Sequence, residues 1–486
     1  MTMSLRDPGG RVCVVDGRVI RVVNRSGLSD LQAFFSSTAS VHFFESKKVI
    51  DTYFIDTTAT AQLLEHEELR RAYEQLPGAT LFEHERVLFP SFPYEWPAEM
   101  LHAAATLTLD LAERLLDERL GLKDASPYNV LFHGSRPVFI DLLSFESRDT
   151  HDPTWLPLAQ FVRTFLLPLL VNKTFGIGLG QLLTDHRDGL EPEEVFHLLS
   201  PIRKLLPPFL SLVSMPVWLA GKERTTDSRI YQKRQLRDPK QADFILRQIL
   251  RSARRKLAQV APRTDRESTW SDYMEHNKYS HDYFQLKQAF VNEVVREHEP
   301  RGVLDVGCNT GHFSAIAARA GASVVAIDYD PVVVGEVWRQ ARAKDLDILP
   351  LVVNIARPTP SIGWRNAECP SFLKRARGSF GAVLMLGVIH HLMVSERIPL
   401  AEVISLAADL TTDVLVIEFV APQDPMFRQI TRGRDHLFTG LTRELFEEVC
   451  KPHFDLVRCE RLGDTSRWLY VMRKKGAFIE CYETQQ

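Results

Sequence analysis

The chain has 486 residues, of which 45% are hydrophobic and 25% charged, and its formal net charge is −3. This length fits two or three domains rather than one core, and the charge excludes a protein that binds nucleic acid over its whole surface. No run reaches the ~18 apolar residues of a membrane helix, and the N-terminus lacks the apolar core of a signal peptide, so we expect no membrane association. Six scattered cysteines without C-x-x-C spacing predict a reduced, cytoplasmic protein with no structural metal.

The first 120 residues predict a small antiparallel sheet that leads into a helix. Two β-rich runs within residues 11–23 flank Asp16 and Gly17, which is the signature of a type I′ hairpin. Val41–Tyr53 predicts a further β-rich stretch. Met100–Leu120 predicts a helix, because apolar residues recur there at helical spacing.

Three polar residues with a distinctive spacing follow this helix. Asp124 and Asn129 are five apart, and Asp141 follows a short hairpin that turns at Gly134-Ser135. With the preceding sheet and helix, this pattern resembles the protein kinase and aminoglycoside phosphotransferase fold. The resemblance implies that Asp124 orients a phosphoryl acceptor, and that Asn129 and Asp141 hold Mg²⁺ beside ATP.

The same region departs from the kinase pattern in several places. Lys123 stands where kinases have Arg or Gly, Leu142-Leu143 replaces Phe-Gly, and no glycine-rich loop occurs in the first 60 residues. Protein kinases carry a lysine on the third strand of their sheet, and either Lys47 or Lys48 could be that residue. Two interpretations remain open: a degenerate kinase-like scaffold whose polar residues cap turns, and an active phosphotransferase.

Basic residues predominate after this region. We interpret residues 1–220 as a kinase-like α+β domain, 221–267 as a basic helical linker, and 268–486 as a separate C-terminal domain. The basic residues of the linker predict either a solvated face or a contact with an acidic or phosphorylated molecule.

The C-terminal domain is organised around Val303–Ser314, read V-L-D-V-G-C-N-T-G-H-F-S. An apolar strand ends there in a glycine-bracketed turn that opens into a helix, an arrangement that leaves backbone N–H groups free for a ligand. The D-x-G-x-x-x-G spacing resembles the first motif of class I S-adenosylmethionine-dependent methyltransferases. The resemblance implies an α/β, Rossmann-like seven-stranded domain with S-adenosylmethionine at the turn. The turn residues expected at the cofactor are Asp305, Gly307, Cys308, Asn309 and Gly311.

Polar residues follow the next two strands of the predicted sheet. Asp328 ends the second strand, where a carboxylate can reach both ribose hydroxyls of the cofactor, and Tyr329 would lie against the adenine. Asn354 ends the third strand, and the resemblance implies a bond from this position to the adenine amino group. A segment before the first strand carries Tyr279 and Lys287, which would form a lid near the cofactor; ordinary helix packing is the alternative.

The ends of strands four and five predict the methyl-donor side of the site. Gly387 and Val388 should approach the methionine end of the cofactor. His390 or His391 could deprotonate an acceptor, or the two rings could pack behind the cofactor. Glu418 is a candidate for orienting the substrate or for taking the acceptor proton.

A loop expected over Asp424–Thr439 follows strand five and is basic. It would hold a carboxylate or phosphate of the acceptor, or its charges would only solvate it. The basic residues of this loop are Arg428, Arg432, Arg434 and His436.

Together these features predict methyl transfer from S-adenosylmethionine to an oxygen or nitrogen acceptor on a small molecule or glycan-type metabolite. The layout of a degenerate kinase-like region before this methyltransferase domain resembles bacterial proteins related to host-specific nodulation methyltransferases. A non-catalytic module, in which the cofactor-binding half and a pseudokinase half regulate a partner, is one alternative, and a bifunctional kinase-methyltransferase is the other. The sequence names neither the acceptor nor the oligomeric state.

Overall fold

The computed structural model describes residues 8–220, 235–264, 268 and 281–476. Tyr279, expected near the cofactor, lies outside the described residues. Contacts divide the chain into two compact units. The first comprises Met1–Asp265 and Ile362–Cys369, and the second comprises Arg266–Ser361 and Pro370–Gln486.

The first unit opens with a four-stranded antiparallel sheet in the order β1-β2-β4-β3. Its strands are β1 (Gly10–Val15), β2 (Arg18–Val23), β3 (Thr52–Phe54) and β4 (Thr80–His84). Asp16 and Gly17 both have positive φ, 49° and 77°, as a type I′ turn requires. The predicted hairpin is therefore confirmed.

The β-rich stretch predicted over Val41–Tyr53 is wrong for its first part, because Val41 lies in the helix Thr38–Glu45. Ser37 caps this helix by accepting the N–H of Ser40 at 3.1 Å, and Phe43 packs in the core. Capping and burial outweigh the weak strand preference of the β-branched residues here.

Helices form most of the rest of the first unit, with two small antiparallel two-stranded sheets among them. One sheet pairs β5 (Leu120–Leu122) with β8 (Phe145–Ser147), and the other is a hairpin of β6 (Val130–His133) and β7 (Arg136–Phe139). The helices are Arg25–Phe35, Thr38–Glu45, Thr57–Leu63, Glu67–Glu74, Ala98–Leu115, Leu158–Phe161, Leu167–Phe175, Leu179–Leu183, Pro192–Leu198, Met215–Ala220 and Pro239–Gln259.

The last of these helices, Pro239–Gln259, occupies much of the region interpreted as a linker. It packs against the helix Ala98–Leu115 within the first unit, where the Arg254 guanidinium donates to Asp110 and Glu113 at 2.8 and 2.9 Å. Part of the basic charge of this region is therefore neutralised inside the unit.

The second unit is built on a seven-stranded mixed sheet in the order β11-β10-β9-β12-β13-β15-β14. Its strands are β9 (Gly302–Val306), β10 (Ser323–Asp328), β11 (Ile348–Val352), β12 (Phe380–Met385), β13 (Thr411–Val420), β14 (Phe454–Arg461) and β15 (Arg467–Lys474). The first five are parallel, and β15 runs antiparallel to both of its neighbours, β13 and β14. The predicted Rossmann-like fold is confirmed. The strand order reverses between β9 and β12, so the ligand crevice of such a sheet falls at their carboxyl ends.

Helices pack against this sheet, and one lies in the stretch predicted as a loop. The helix Pro425–Thr431 occupies part of Asp424–Thr439, because the Asp424 carboxylate caps it by accepting the N–H groups of Met426 and Phe427 at 2.9 and 3.4 Å. The helices are His281–His298, His312–Arg319, Pro331–Lys344, Phe372–Ala376, Ile389–Val394, Leu400–Leu410, Pro425–Thr431 and Arg443–Cys450. Within the described parts of the chain, no helix is both long and apolar enough to cross a bilayer.

Candidate active site

The turn after β9 is fixed by its glycines. Gly307, Asn309 and Gly311 have positive φ values of 70°, 50° and 78°. A Cβ atom on Gly307 would lie 2.4 Å from Cγ2 of Val388, a distance that no side chain accommodates. The turn therefore packs directly against the residue after β12, and both stand at the reversal point of the sheet.

Asp328, at the tip of β10, faces this turn. One carboxylate oxygen accepts the N–H of Asn309 at 3.1 Å, and the other accepts the N–H of Asp330 at 3.0 Å. Burial raises the pKa of Asp328 above its ordinary value, and the backbone donors oppose that shift. Tyr329 follows with 56% of its surface exposed.

Asp305 lies inside β9 and is almost fully buried. Its carboxylate accepts a hydrogen bond from the Ser314 hydroxyl at 2.6 Å. Burial raises the pKa of Asp305 to about 6, although the Ser314 bond and the positive charge of Lys287 act in the opposite direction. The strand thus holds a carboxylate that titrates close to neutral pH.

Two other residues predicted at the cofactor have local partners. The Cys308 thiol is buried, and burial raises its pKa well above the ordinary value, which makes it a neutral group rather than a nucleophile. Asn354 follows β11, and its side-chain oxygen accepts the N–H of Ala356 at 2.9 Å. The N–H of Val353 donates to the Asp328 carbonyl at 2.9 Å, which fixes the end of β11 beside the end of β10.

The helix Ile389–Val394 begins directly after Gly387 and Val388 and carries both predicted histidines. Their ring centroids lie 4.3 Å apart. Burial lowers the pKa of His390 well below its ordinary value, and burial with the charge of Arg467 lowers that of His391 to about 4. Both rings are therefore neutral at pH 7. Nδ1 of His390 is buried without a hydrogen-bond partner among the described residues.

Glu418, in β13, has no exposed surface and is surrounded by donors. One carboxylate oxygen accepts the Tyr283 hydroxyl at 2.8 Å and Nη1 of Arg467 at 3.0 Å, and the other accepts Nζ of Lys287 at 2.6 Å. Burial alone would raise the pKa of Glu418, but the two cations outweigh it and hold the pKa at about 2. Glu418 is therefore ionised throughout the physiological range.

Arg467, the first residue of β15, completes this cluster. Its guanidinium donates in bidentate fashion to Asp424 at 2.8 and 3.0 Å, and the side chain is 2% exposed. Two cations and two anions thus compensate each other in the interior, joining β13, β15 and the helices His281–His298 and Pro425–Thr431. We call this set the buried ion cluster; it consists of Tyr283, Lys287, Glu418, Asp424 and Arg467.

The sequence did not single out Arg467 or Asp424 for a functional role. A charged residue at the start of a strand otherwise rich in buried apolar residues is a signal of burial, and charged residues are fully buried only when paired. That signal identifies Arg467 but not its partners, because Asp424 and Glu418 lie more than 40 residues before it in sequence.

The first unit carries a separate cleft of ≈ 1250 Å³. Asp124, Asn129 and Asp141 all line it, and Nδ2 of Asn129 donates to Asp124 at 2.9 Å. The Arg21 guanidinium donates to Asp141 at 2.8 Å. The three residues of the kinase-like pattern are therefore brought together, with an arginine from β2 beside them.

Arg21 is the basic residue of the sheet that lies at this cleft, and the sequence offered Lys47 or Lys48 instead. Nε of Arg21 donates to Nε2 of His84 at 2.9 Å, and burial with the arginine charge lowers the pKa of His84 well below its ordinary value. Lys48 instead pairs with Asp110 at 2.8 Å, and Lys47 pairs with Asp51. Neither lysine lines the cleft, whereas Arg21 does. Over the described residues, no group of three or more metal-binding side chains occurs.

The geometry of the second unit defines a class of protein. The glycine turn that packs on Val388 and the acid at the tip of β10 meet at the reversal of strand order, where sheets of this kind bind ligands. A family model described as "Methyltransferase domain" matches residues 304–409, from β9 to the helix before β13. This part of the chain is therefore a methyltransferase domain of the class I, S-adenosylmethionine-dependent type.

Similar proteins are known over the whole chain and over its parts. The chain is 29% identical over 475 residues to nodulation protein NoeA of Rhizobium meliloti (strain 1021), covering 97% of this chain and 95% of that protein. The N-methyltransferase NodS from Bradyrhizobium japonicum WM9 shares 13% identity, with 40% of this chain and 98% of that chain covered and a TM-score of 0.30. The bifunctional kinase-methyltransferase WbdD shares 18% identity over 41% of each chain, with a TM-score of 0.29.

Proposed function

We propose that the second unit transfers the methyl group of S-adenosylmethionine to an oxygen or nitrogen atom of a small molecule or glycan-type metabolite. The observation that carries the proposal is the Asp328 carboxylate held against the Asn309 N–H, at the turn after β9. When bound, the cofactor supplies a methyl group already activated by the sulfonium. The protein therefore has to bind, orient and exclude water, and it needs little covalent chemistry of its own.

We assign each cofactor contact to residues at the carboxyl ends of the strands. Asp328 would accept the ribose hydroxyls, Tyr329 would cover the adenine, and Asn354 would meet the adenine edge. The turn with Gly307 would give the cofactor close access to backbone N–H groups. The other cofactor contacts we propose are Asp305, Cys308, Asn309, Gly311, Gly387, Val388, Tyr279 and Lys287.

The three candidate catalytic residues differ in what they can do with a proton. His390 and His391 are neutral at pH 7, but burial lowers the pKa of both, to about 4 for His391, so each is a weak base. Glu418 has both oxygens engaged and a pKa of about 2, so it is suited to hold Lys287 and Arg467 in place rather than to take the acceptor proton.

A labelled-methyl assay tests the transfer itself. The protein is incubated with methyl-labelled S-adenosylmethionine and fractions of a bacterial extract, and transfer of label is followed for wild type, His391→Ala and Glu418→Gln. We expect one class of fraction to support turnover in wild type. If the cofactor binds but no fraction supports transfer of label, the alternative function is favoured, namely a non-catalytic binding module that regulates a partner.

We propose for the first unit a kinase-like fold whose cleft binds a nucleotide, with ATP and Mg²⁺ as the ligands to test. The observation that favours it is the convergence of Asp124, Asn129 and Asp141 on one cleft beside Arg21. Both a pseudokinase and a second, phosphotransferase activity stay open. Thermal unfolding with and without Mg²⁺-ATP, on wild type and Asp141→Ala, distinguishes a ligand-binding cleft from a scaffold. If Mg²⁺-ATP leaves the melting temperature of both proteins unchanged, that result contradicts nucleotide binding.

Two further proposals concern the compartment and the acceptor. We propose that the protein works in the reducing cytoplasm, in line with buried free thiols at Cys13, Cys308 and Cys450. We also propose that its acceptor is not a nucleic acid, in line with the net charge of −3.

A further inference from the structure

A hollow of ≈ 260 Å³ lies in the second unit, at the ends of the helices Ile389–Val394 and Pro425–Thr431 and at the 3₁₀ helix Asp435–Phe438. We call it the arginine hollow. The lining residues are Met393, Val394, Arg397, Ile398, Pro399, Thr431, Arg434, Leu437 and Phe438.

Most of this lining is apolar. Leu437, although it belongs to the lining, is 65% exposed to solvent, and Phe438 and Met393 are only partly buried. Large apolar side chains left accessible around a concavity favour an apolar ligand group, because covering them removes apolar surface from water.

Two arginines also line the hollow, and they come from different segments. Arg434 donates through Nε to the Thr431 carbonyl at 3.4 Å, and for the described residues no carboxylate pairs with Arg434 or with Arg397. The nearest carboxylates in sequence are engaged elsewhere: Glu396 accepts from Arg357 at 2.9 Å, and Asp435 accepts from the Thr431 hydroxyl. The hollow thus combines an apolar wall with two guanidinium groups whose charges are available to an anion.

Aromatic contacts connect the arginine hollow to the residues beside the cofactor turn. The His390 ring stacks on Phe427, with centroids 6.3 Å apart and an angle of 24°. Phe427 in turn meets Phe438, a lining residue, edge-on at 5.4 Å. Val388, two residues before His390, packs on Gly307. A single phenylalanine therefore separates the hollow from the predicted acceptor side of the site.

We propose that the arginine hollow binds the part of the methyl acceptor in which an anionic group is joined to an apolar chain. The carboxylate or phosphate would be held by Arg397 and Arg434, and the chain would cover Leu437 and Phe438. This inference rests on the proposed function and narrows its acceptor to an anionic amphiphile. Of the basic residues predicted in this region, only Arg434 lines the hollow; Arg428, Arg432 and His436 do not.

Calorimetry with small probes tests the hollow without knowledge of the acceptor. Octyl phosphate and octanoate represent the two sources of anionic charge, octanol represents the chain alone, and inorganic phosphate represents the charge alone. We expect both anionic amphiphiles to bind wild type, and octanol and phosphate to bind at least tenfold more weakly. Arg397→Gln with Arg434→Gln should weaken the anionic amphiphiles tenfold or more, since each lost charge-assisted bond is worth about that factor.

Control variants separate the two components of the hollow. Arg342→Gln removes an exposed arginine that does not line the hollow and should leave every probe unchanged. Leu437→Ala should weaken octyl phosphate and octanol but not inorganic phosphate. Equal binding of octyl phosphate by wild type and the double arginine variant would overturn the proposal. So would binding of phosphate alone as tightly as octyl phosphate.

Cofactor binding to the same variants distinguishes a failure of the arginine hollow from a failure of the proposed function. S-adenosylmethionine should bind wild type and the double arginine variant equally, because neither arginine belongs to the predicted cofactor site. If the cofactor binds while no anionic amphiphile does, the hollow is not an acceptor subsite and the proposed function is untouched. If the cofactor itself fails to bind wild type, the proposed function fails.

Discussion

The substitution Arg467→Met tests whether the buried ion cluster stabilises the fold. The methionine keeps much of the apolar volume, but it leaves the carboxylates of Asp424 and Glu418 in the interior with Lys287 as their remaining cation. Removing one partner of a buried ion pair costs about 3–5 kcal/mol, because the remaining charge is uncompensated. Domains have total stabilities of about 5–15 kcal/mol, so a loss of this size is easily measured.

Urea unfolding of the chain, followed by intrinsic fluorescence, provides the assay. Arg473→Met is the matched control: it lies in the same strand, its pair with Asp413 spans 3.4 Å, and both side chains are nearly half exposed. That variant should cost less than about 1 kcal/mol. Equal destabilisation by the two substitutions would refute the conclusion that the cluster stabilises the fold.

The pH dependence of Arg467→Met adds a second criterion. The wild-type pKa of Glu418 is about 2, below its ordinary value, so its contribution to stability is present above about pH 4.5 and is lost as the pH falls towards 2. In the variant the Glu418 carboxylate protonates more readily, which relieves part of the uncompensated charge. The stability difference between variant and wild type should therefore shrink between pH 7 and pH 4. A difference that stays constant over this range would contradict the electrostatic explanation.

Two further predictions concern the cofactor turn and its strand. Gly307→Ala should abolish measurable S-adenosylmethionine binding in calorimetry, because the new methyl group would lie 2.4 Å from Val388, whereas Gly378→Ala, with a similar φ and nothing within 4 Å, should bind normally. Asp305→Asn should stabilise the protein at pH 7.5 by up to about 3 kcal/mol: the folded pKa of about 6 exceeds the ordinary value of 3.8, so wild type loses stability as the pH rises through that window. Urea unfolding at pH 4 and 7.5 checks this, and an equal difference at both values would count against it.

The sequence predicted the second unit well because its signals are local. Strand, glycine turn and helix follow one another within Val303–Ser314, and the acid at the tip of β10 is placed by the same repeating pattern. Parallel strands with both faces buried are nearly continuous apolar runs, so the residue at which each strand ends can be recognised in the sequence. The polar residues at those ends therefore fall where the sequence places them.

The parts that the sequence missed depend on contacts between distant segments. The sequence predicts that Glu418 orients the substrate or takes the acceptor proton, but Lys287, 131 residues before it, pairs with it in the interior. Arg21 meets Asp141 from 120 residues away, and no local pattern distinguishes it from Lys47 or Lys48. The basic residues of Asp424–Thr439 predict a loop, whereas the Asp424 side chain caps the helix Pro425–Thr431.

Cofactor binding is the central claim, and calorimetry with S-adenosylmethionine on three proteins tests it most directly: wild type, Asp328→Ala and Asp347→Ala. Asp347 is an exposed acid before the start of β11 that bonds Ser323, so its removal changes the same charge away from the turn. We predict that wild type and Asp347→Ala bind alike and that Asp328→Ala binds at least tenfold more weakly, since it loses hydrogen bonds to a charged group. Equal affinity of all three proteins for the cofactor would contradict the assignment of the site.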